Sequence, residues 1–325
     1  MRATYVARVL ALALGAAGPL PGASAADYPD RPIHWVVPYA AGGTTDVVAR
    51  NVAQTITQMQ GWTIVIDNRA GAGGRPAMGT VARADPDGYT LLVSDASLAT
   101  APSLYAQLPF DPVKDFLPIA LFATVPHIVV INPEVKANSL AELIALGKQD
   151  PGKLNFGSGG IGSPLHLAGE ALRLETGIPW THVPYRGAGP AIIGTISNEV
   201  QVATPSLPAA LAQVQAHTLR ALAVMSPKRL PTLPDVPTVA ELGFPKATVQ
   251  GWVGLHAPAG TPPAVLKALE TAVAKALQSP ELRNRLAQLG ADVSTETGAA
   301  YGQLVAEETA RWKQVVEAAG IPPQQ

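Results

Sequence analysis

Apolar, β-branched runs that end at a glycine-rich turn and resume at helical spacing recur along this chain, and this repeat restricts the fold more than any other feature. Ile33–Pro38 is one such run, and Gly42-Gly43 turns the chain after it. Val47, Val48, Val52 and Ile56 follow at helical spacing, with Thr44 or Thr45 expected to cap the helix. Thr63–Asp67 reads as the next strand, and a glycine loop at 71–74 opens a short helix. Pro86-Asp87-Gly88 turns the chain into a third strand, Tyr89–Ser94. Strand, turn, helix, strand repeated in this way implies a parallel sheet with helices on both faces.

The same pattern returns further on. His127–Asn132, Leu154–Phe156, His182–Tyr185, Val200–Ala203 and Arg220–Met225 read as strands, and Ser139 is placed to cap a helix over 140–149. Loops at 157–163 and at Gly187 and Gly189 open further helices. Residues 249–257 form one long strand, and the tail is helical over 262–277, 280–289 and 298–319. A length of 325 residues suits two domains, each with its own core. The stretches 125–132 and 248–257 are expected to cross between them. Residues 27–125 plus 250–325 then form a discontinuous first domain, and 126–249 form the second. Two crossings make a hinge, with a ligand cleft between the domains.

Composition closes several alternatives. With 47% hydrophobic and 14% charged residues, the chain is too apolar to be disordered. A net charge of −1 gives no basic surface for nucleic acid. The absence of cysteine excludes disulfides, thiolate metal sites and a cysteine nucleophile. Arg2 and Arg8, the apolar run Val9–Ala17, and the small residues Ala23-Ser24-Ala25 have the order of a secretory signal peptide over 1–26, cleaved near Ala25 or Ala26. The run is too short to span a bilayer, which takes about 20 residues. A soluble, exported protein of the bacterial periplasm is expected.

The chemistry lies in turns at the carboxyl ends of strands, where open α/β sheets bind ligands. Pro38–Asp46 is the first, with two glycines that let backbone amides approach an anion at a helix N-terminus. Asp46 is expected to hold loop amides rather than meet an anionic ligand. Gly157–Ser163 is the second. It has the G-x-G-x-x-G spacing of a dinucleotide site, but the strand at 181–185 does not end in the acid that a ribose requires. A small anion held by amides and by the hydroxyls of Ser158 and Ser163 fits better. Ser94-Asp95-Ala96-Ser97 is the third turn. The six histidines show no zinc spacing, and no cofactor or metal is expected. His166 falls on the helix after the second turn, and Arg186 is open to either a carboxylate or solvent. No G-x-S-x-G elbow surrounds the serines.

Together these segments resemble the Bug family, the periplasmic substrate-binding proteins of tripartite tricarboxylate transporters. The resemblance is carried by Tyr28–Ile33, the Pro38–Asp46 turn, Asn68–Gly74, Asp85–Leu91 and Leu108–Pro112, and continues through His182–Gly187, Leu233–Thr238 and Ala257–Pro262. It covers 28–323 and implies a two-domain, Venus-flytrap-like α/β fold, each domain a mainly parallel sheet flanked by helices. The implied ligands are di- and tricarboxylates, acidic amino acids and aromatic acids, gripped by backbone amides and ordered water from both domains. The implied contacts are Tyr39, Ala41, Gly42, Gly43 and Thr44 in the first domain, and Ser158, Gly159, Gly162, Ser163 and His166 in the second. Specificity contacts are implied at 94–97 (Ser94, Ser97) and 204–206 (Thr204). Where many members have Phe-Asp-Ser, this chain has Thr204-Pro205-Ser206, which lacks an acid and an N–H donor. Two functions follow from these residues. One is a monomeric carboxylate-binding protein serving a membrane transporter or a sensor kinase. The other is a periplasmic serine hydrolase using Ser163 and a histidine.

Overall fold

The computed structural model describes residues 28–324, so the segment 1–26, expected to be a signal peptide, lies outside the described residues. The chain opens with β1 (Ile33–Val37), α1 (Thr44–Gln60), β2 (Ile64–Asn68), α2 (Arg75–Ala82), β3 (Thr90–Asp95), α3 (Ala96–Leu104) and β4 (Phe116–Pro126). A second group follows: β5 (Ile128–Ile131), α4 (Leu140–Gln149), β6 (Asn155–Ser158), α5 (Pro164–Thr176), β7 (Thr181–Pro184), α6 (Ala188–Ile196), β8 (Val202–Ala203), α7 (Leu207–Gln215) and β9 (Arg220–Val224). The chain closes with β10 (Gln250–Pro258), α8 (Pro263–Leu277), α9 (Pro280–Gln288), β11 (Asp292–Val293) and α10 (Gly298–Ala319). Among the described residues, no helix is long and apolar enough to cross a membrane.

The strands form two sheets, ordered β11-β4-β10-β3-β1-β2 and β7-β6-β8-β5-β9. This is a two-domain α/β fold, but each sheet is mixed rather than mainly parallel. β1 runs parallel to β2 and β3, whereas β10 is antiparallel to both β3 and β4. In the other sheet β6 is parallel to β7 and β8, and β5 is antiparallel to β8 and β9. The antiparallel pairs all involve strands at the two crossings, because a strand entering from the other sheet arrives in the reverse direction. At the crossings β4 runs into β5 through His127, and Val249 leads into the return strand β10. Met225 N–H donates to His127 O, and Val249 N–H donates to Met225 O, both at 2.8 Å. These bonds tie the two crossings into one narrow neck.

Each sheet buries apolar residues on both faces, as helices on both sides require. Trp35 and Phe122 stack at 5.4 Å inside the first sheet's core. α10 belongs to neither half alone. Tyr301, Val305, Trp312 and Val316 of α10 are buried in a cluster with Leu98 and Ala101 of α3 and Leu167 and Leu172 of α5. Burying a large apolar side chain stabilises by roughly 1.5–3 kcal/mol, so this one helix fastens both halves.

Candidate functional site

Four strand-to-helix turns meet where the two sheets face each other, and side-chain hydrogen bonds join them in series. Thr45 Oγ1 donates to Asp95 Oδ2 at 3.0 Å, linking the first turns of α1 and α3. Thr44 Oγ1 lies 2.9 Å from Ser206 Oγ, linking the N-termini of α1 and α7 across the two sheets. Thr204 Oγ1 donates to Leu165 O at 2.7 Å, linking the turn before α7 to the first turn of α5.

The first turn is built around Asp46. Its carboxylate accepts from Gly42 N–H at 2.8 Å, Asn68 Nδ2 at 2.9 Å and Arg50 Nε at 2.9 Å. Burial works against the charge, but the bonds from Arg50, Gly42 and Asn68 outweigh it and hold the carboxyl below its ordinary range. Gly42 has φ +85°, a conformation that side chains other than glycine's rarely adopt. The N-cap of α1 is Gly43, not Thr44 or Thr45, and no side chain caps this helix. The amides of its first turn therefore have no capping acceptor, and the positive end of the helix is open.

Asp95 organises the third turn. It caps α3, accepting from Ser97 N–H at 2.9 Å and Ser97 Oγ at 2.5 Å. Tyr39 Oη also donates to it, at 3.3 Å. Burial raises its pKa, and the bonds from Ser97, Thr45 and Tyr39 oppose that rise. Ser94 is not brought to this surface. Successive strand residues face opposite sides, so Ser94 points into the core. It is fully buried, with Oγ 2.7 Å from His256 Nδ1 and 2.9 Å from Tyr301 Oη. Ser97 is at the turn, but its hydroxyl is committed to Asp95.

The second turn satisfies most of its own polar groups. Gly160 N–H donates to Ser158 Oγ at 3.1 Å, and Gly162 N–H donates to His166 Nδ1 at 3.0 Å. Neutral His166 therefore carries its proton on Nε2. Ser163 Oγ caps α5 by accepting from His166 N–H at 3.3 Å. Gly159 is pressed against the next turn, since a Cβ there would lie 3.3 Å from Ala188 N. Ser158 Oγ sits 2.6 Å from His182 Nε2, and the His166 and His182 rings stack at 3.9 Å. At this turn the Ser–His contact is thus Ser158–His182, on a fully buried serine, and not one made by Ser163. Thr204 is also fully buried; besides its bond to Leu165, its carbonyl accepts from His127 Nδ1 at 2.8 Å. It positions the turn, and the hydroxyl that faces α1 belongs to Ser206. Tyr39, Ala41, Gly42, Gly43 and Thr44 lie together in the first turn, while Arg186 is exposed.

Burial keeps these imidazoles neutral. It lowers the pKa of His182 from 6.5 to about 4. Burial, then the neighbouring His182 and Arg173, lowers that of His166 to about 3. The unfolded chain would protonate near 6.5, so between that pH and about 4 it binds more protons than the folded chain. Stability is therefore expected to fall as pH falls through this window, read as a declining melting temperature. His182→Gln should flatten part of the slope, and a melting temperature that rises on acidification would contradict neutral burial.

A cavity of about 510 Å³ opens beside the second turn, lined by Ile161, His166, Trp180 and His182 together with Ile321 of the tail. Its lining includes none of Tyr39–Thr44, so it is separate from the meeting point of α1 and α7. Among the described residues, no group of three or more His, Asp or Glu is placed to hold a metal.

Comparison with known proteins gives a consistent picture. Residues 48–321 match the family described as the tripartite tricarboxylate transporter family receptor. Protein BugT of Bordetella pertussis is 37% identical over 322 residues, covering 98% of this chain and 99% of that protein. The solved structure of R. palustris Rpa4515 with adipate has a TM-score of 0.87 at 35% identity, covering 92% of this chain and 100% of that one. MatC from Rhodopseudomonas palustris with bound malate has a TM-score of 0.81 at 34% identity, covering 89% and 100%.

Proposed function

Because the chain belongs to the tripartite tricarboxylate transporter receptor family, we propose that it captures a small carboxylate between its two domains and presents it to a transporter or a sensor kinase. Export to the periplasm, with cleavage after Ala25 or Ala26, is part of this reading. So is the division into 27–125 plus 250–325 and 126–249, with the neck at His127 and Val249 as hinge. The observation that carries the reading is the 2.9 Å contact between Thr44 and Ser206. It joins the N-termini of two helices that lack capping side chains and stand on different sheets. A carboxylate bound there would find open amides of α1 on one side and the start of α7 on the other, which favours an anion without any charged side chain. Tyr39, Ala41, Gly42, Gly43 and Thr44 form the first wall in this reading. Ser158, Gly159, Gly162, Ser163 and His166 form the second wall, more by holding the turn in shape than by free donors. The adipate and malate named with two solved relatives support a carboxylate as the ligand class. Binding without turnover is the role favoured over hydrolysis, since Ser163 caps a helix and is not paired with an imidazole.

A thermal-shift screen of carboxylates tests this. A ligand at 100 times its Kd adds about 2.7 kcal/mol of stability. At about 2–4 °C per kcal/mol, the melting temperature should rise by several degrees. Carboxylates should give this shift and their neutral amides should not. A screen in which sugars or cations shift the protein and no carboxylate does would overturn the assignment.

A further inference from the structure

The four turns at the proposed site, residues 39–46, 94–97, 158–166 and 204–207, contain two carboxylates, Asp46 and Asp95, and no Lys or Arg. Asp46 is neutralised by Arg50, whose Nε lies 2.9 Å away. Asp95 has no such partner. Its hydrogen-bond partners are neutral: the Ser97 amide and hydroxyl, the Thr45 hydroxyl and the Tyr39 hydroxyl. All four donate to it, an arrangement that solvates the carboxylate anion. It is 7% exposed and bonds directly to the first turn of α1. The site therefore combines the positive helix end that attracts one carboxylate with the Asp95 carboxylate, held by four neutral donors and no cation, one side chain behind it.

We propose that Asp95 makes this site selective for ligands bearing a single negative charge, monocarboxylates or zwitterions, over di- and tricarboxylates of the same length. This rests on the carboxylate-binding reading above and narrows its ligand class. The first carboxylate of any ligand gains direct contact with backbone amides, which outweighs repulsion from a shielded charge. A second carboxylate finds no Lys or Arg in the four turns and still feels Asp95. At about 10 Å and an effective dielectric constant of about 20, that repulsion weakens binding roughly tenfold. A neutral or cationic distal group escapes this repulsion.

Matched pairs of probes decide it: adipate against its monomethyl ester and against aminohexanoate, succinate against its monomethyl ester, and phthalate against benzoate. Titration calorimetry on the full mature chain should show the singly charged or zwitterionic member binding about tenfold tighter in every pair that binds. In Asp95→Asn the ratio should collapse towards unity, mainly through tighter binding of the dianion. Dianions that bind the wild-type chain as tightly as their partners overturn the proposal, and a ratio unchanged in Asp95→Asn removes Asp95 as its cause. Should Asp95→Asn fail to fold, the wild-type ratios decide the selectivity, and Asp95→Ser, which keeps a capping oxygen for α3, takes its place as the test of the cause. Binding by neither member of any pair instead brings down the carboxylate reading, and this selectivity with it.

Discussion

Gly254→Val is expected to destabilise the protein more than any substitution at the surface of the binding turns. Gly254 lies on β10, between β3 and β4 in the middle of the six-stranded sheet. A Cβ there would fall 2.8 Å from Ala120 O and collide with Tyr301 Oη. The carbonyl is backbone of the neighbouring strand and cannot rotate away. The phenol is held by Ser94, which also bonds His256, so displacing Tyr301 leaves a buried network partly unsatisfied. Overpacking costs about 1–3 kcal/mol, and a lost buried partner about 1–3 kcal/mol more. A total near 4 kcal/mol is a large share of a typical stability of about 5–15 kcal/mol. The melting temperature should drop by about 10 °C or the chain should fail to accumulate. Gly189→Val is the control, since a Cβ at that helical position meets nothing within 4 Å. Equal melting temperatures for the two variants would show that the sheet centre yields more easily than its contacts imply.

The same network marks what the sequence pattern conveys and what it hides. Turns are legible because their chemistry is local: Gly42 needs a left-handed backbone, and the Gly157–Ser163 segment must approach its neighbours closely. Strands and helices with clean periodicity are legible too, as β1, α1, β10 and α10 are. β4 and α3 are not. Pro118 and Pro126 interrupt the strand, and Pro102 sits inside the helix. What makes β4 a strand is pairing with β10, more than a hundred positions away. Strand direction escapes for the same reason, so a parallel pattern read locally becomes two mixed sheets.

At the site, residue type was informative and orientation was not. Ser94 and Asp95 are neighbours in a polar turn, yet one joins the core and the other the turn, a difference set by strand alternation. Asp95 acquires its role from Tyr39 and Thr45, and Ser206 from Thr44, 162 positions away. The helix cap falls on Gly43 because its extended backbone, and not a threonine side chain, leads into α1. That single shift leaves the α1 amides open, which is the feature the proposed function depends on.

Gly43→Val is therefore expected to remain folded and to lose carboxylate binding by about a hundredfold, a loss of about 2.7 kcal/mol. Gly43 has φ −73° and ψ 166°, extended backbone that valine adopts readily. Its Cβ would lie 3.6 Å from Ala40 O, an ordinary contact. The melting temperature should fall by no more than a few degrees, since valine in place of glycine at an N-cap costs about 1 kcal/mol. The branched side chain, however, stands at the mouth of the α1 N-terminus, where a bound carboxylate would need the closest approach to the amides. Ser163→Ala removes a helix cap, which costs about 0.5–2 kcal/mol of stability, and should weaken binding less than Gly43→Val because no ligand contact is lost. Arg186 is exposed, and Arg186→Ala should leave binding unchanged. Calorimetry on the three folded variants gives the order. If Arg186→Ala proved the weakest binder, a side-chain clamp would replace the backbone grip, and an Arg–carboxylate pair would become the centre of the site.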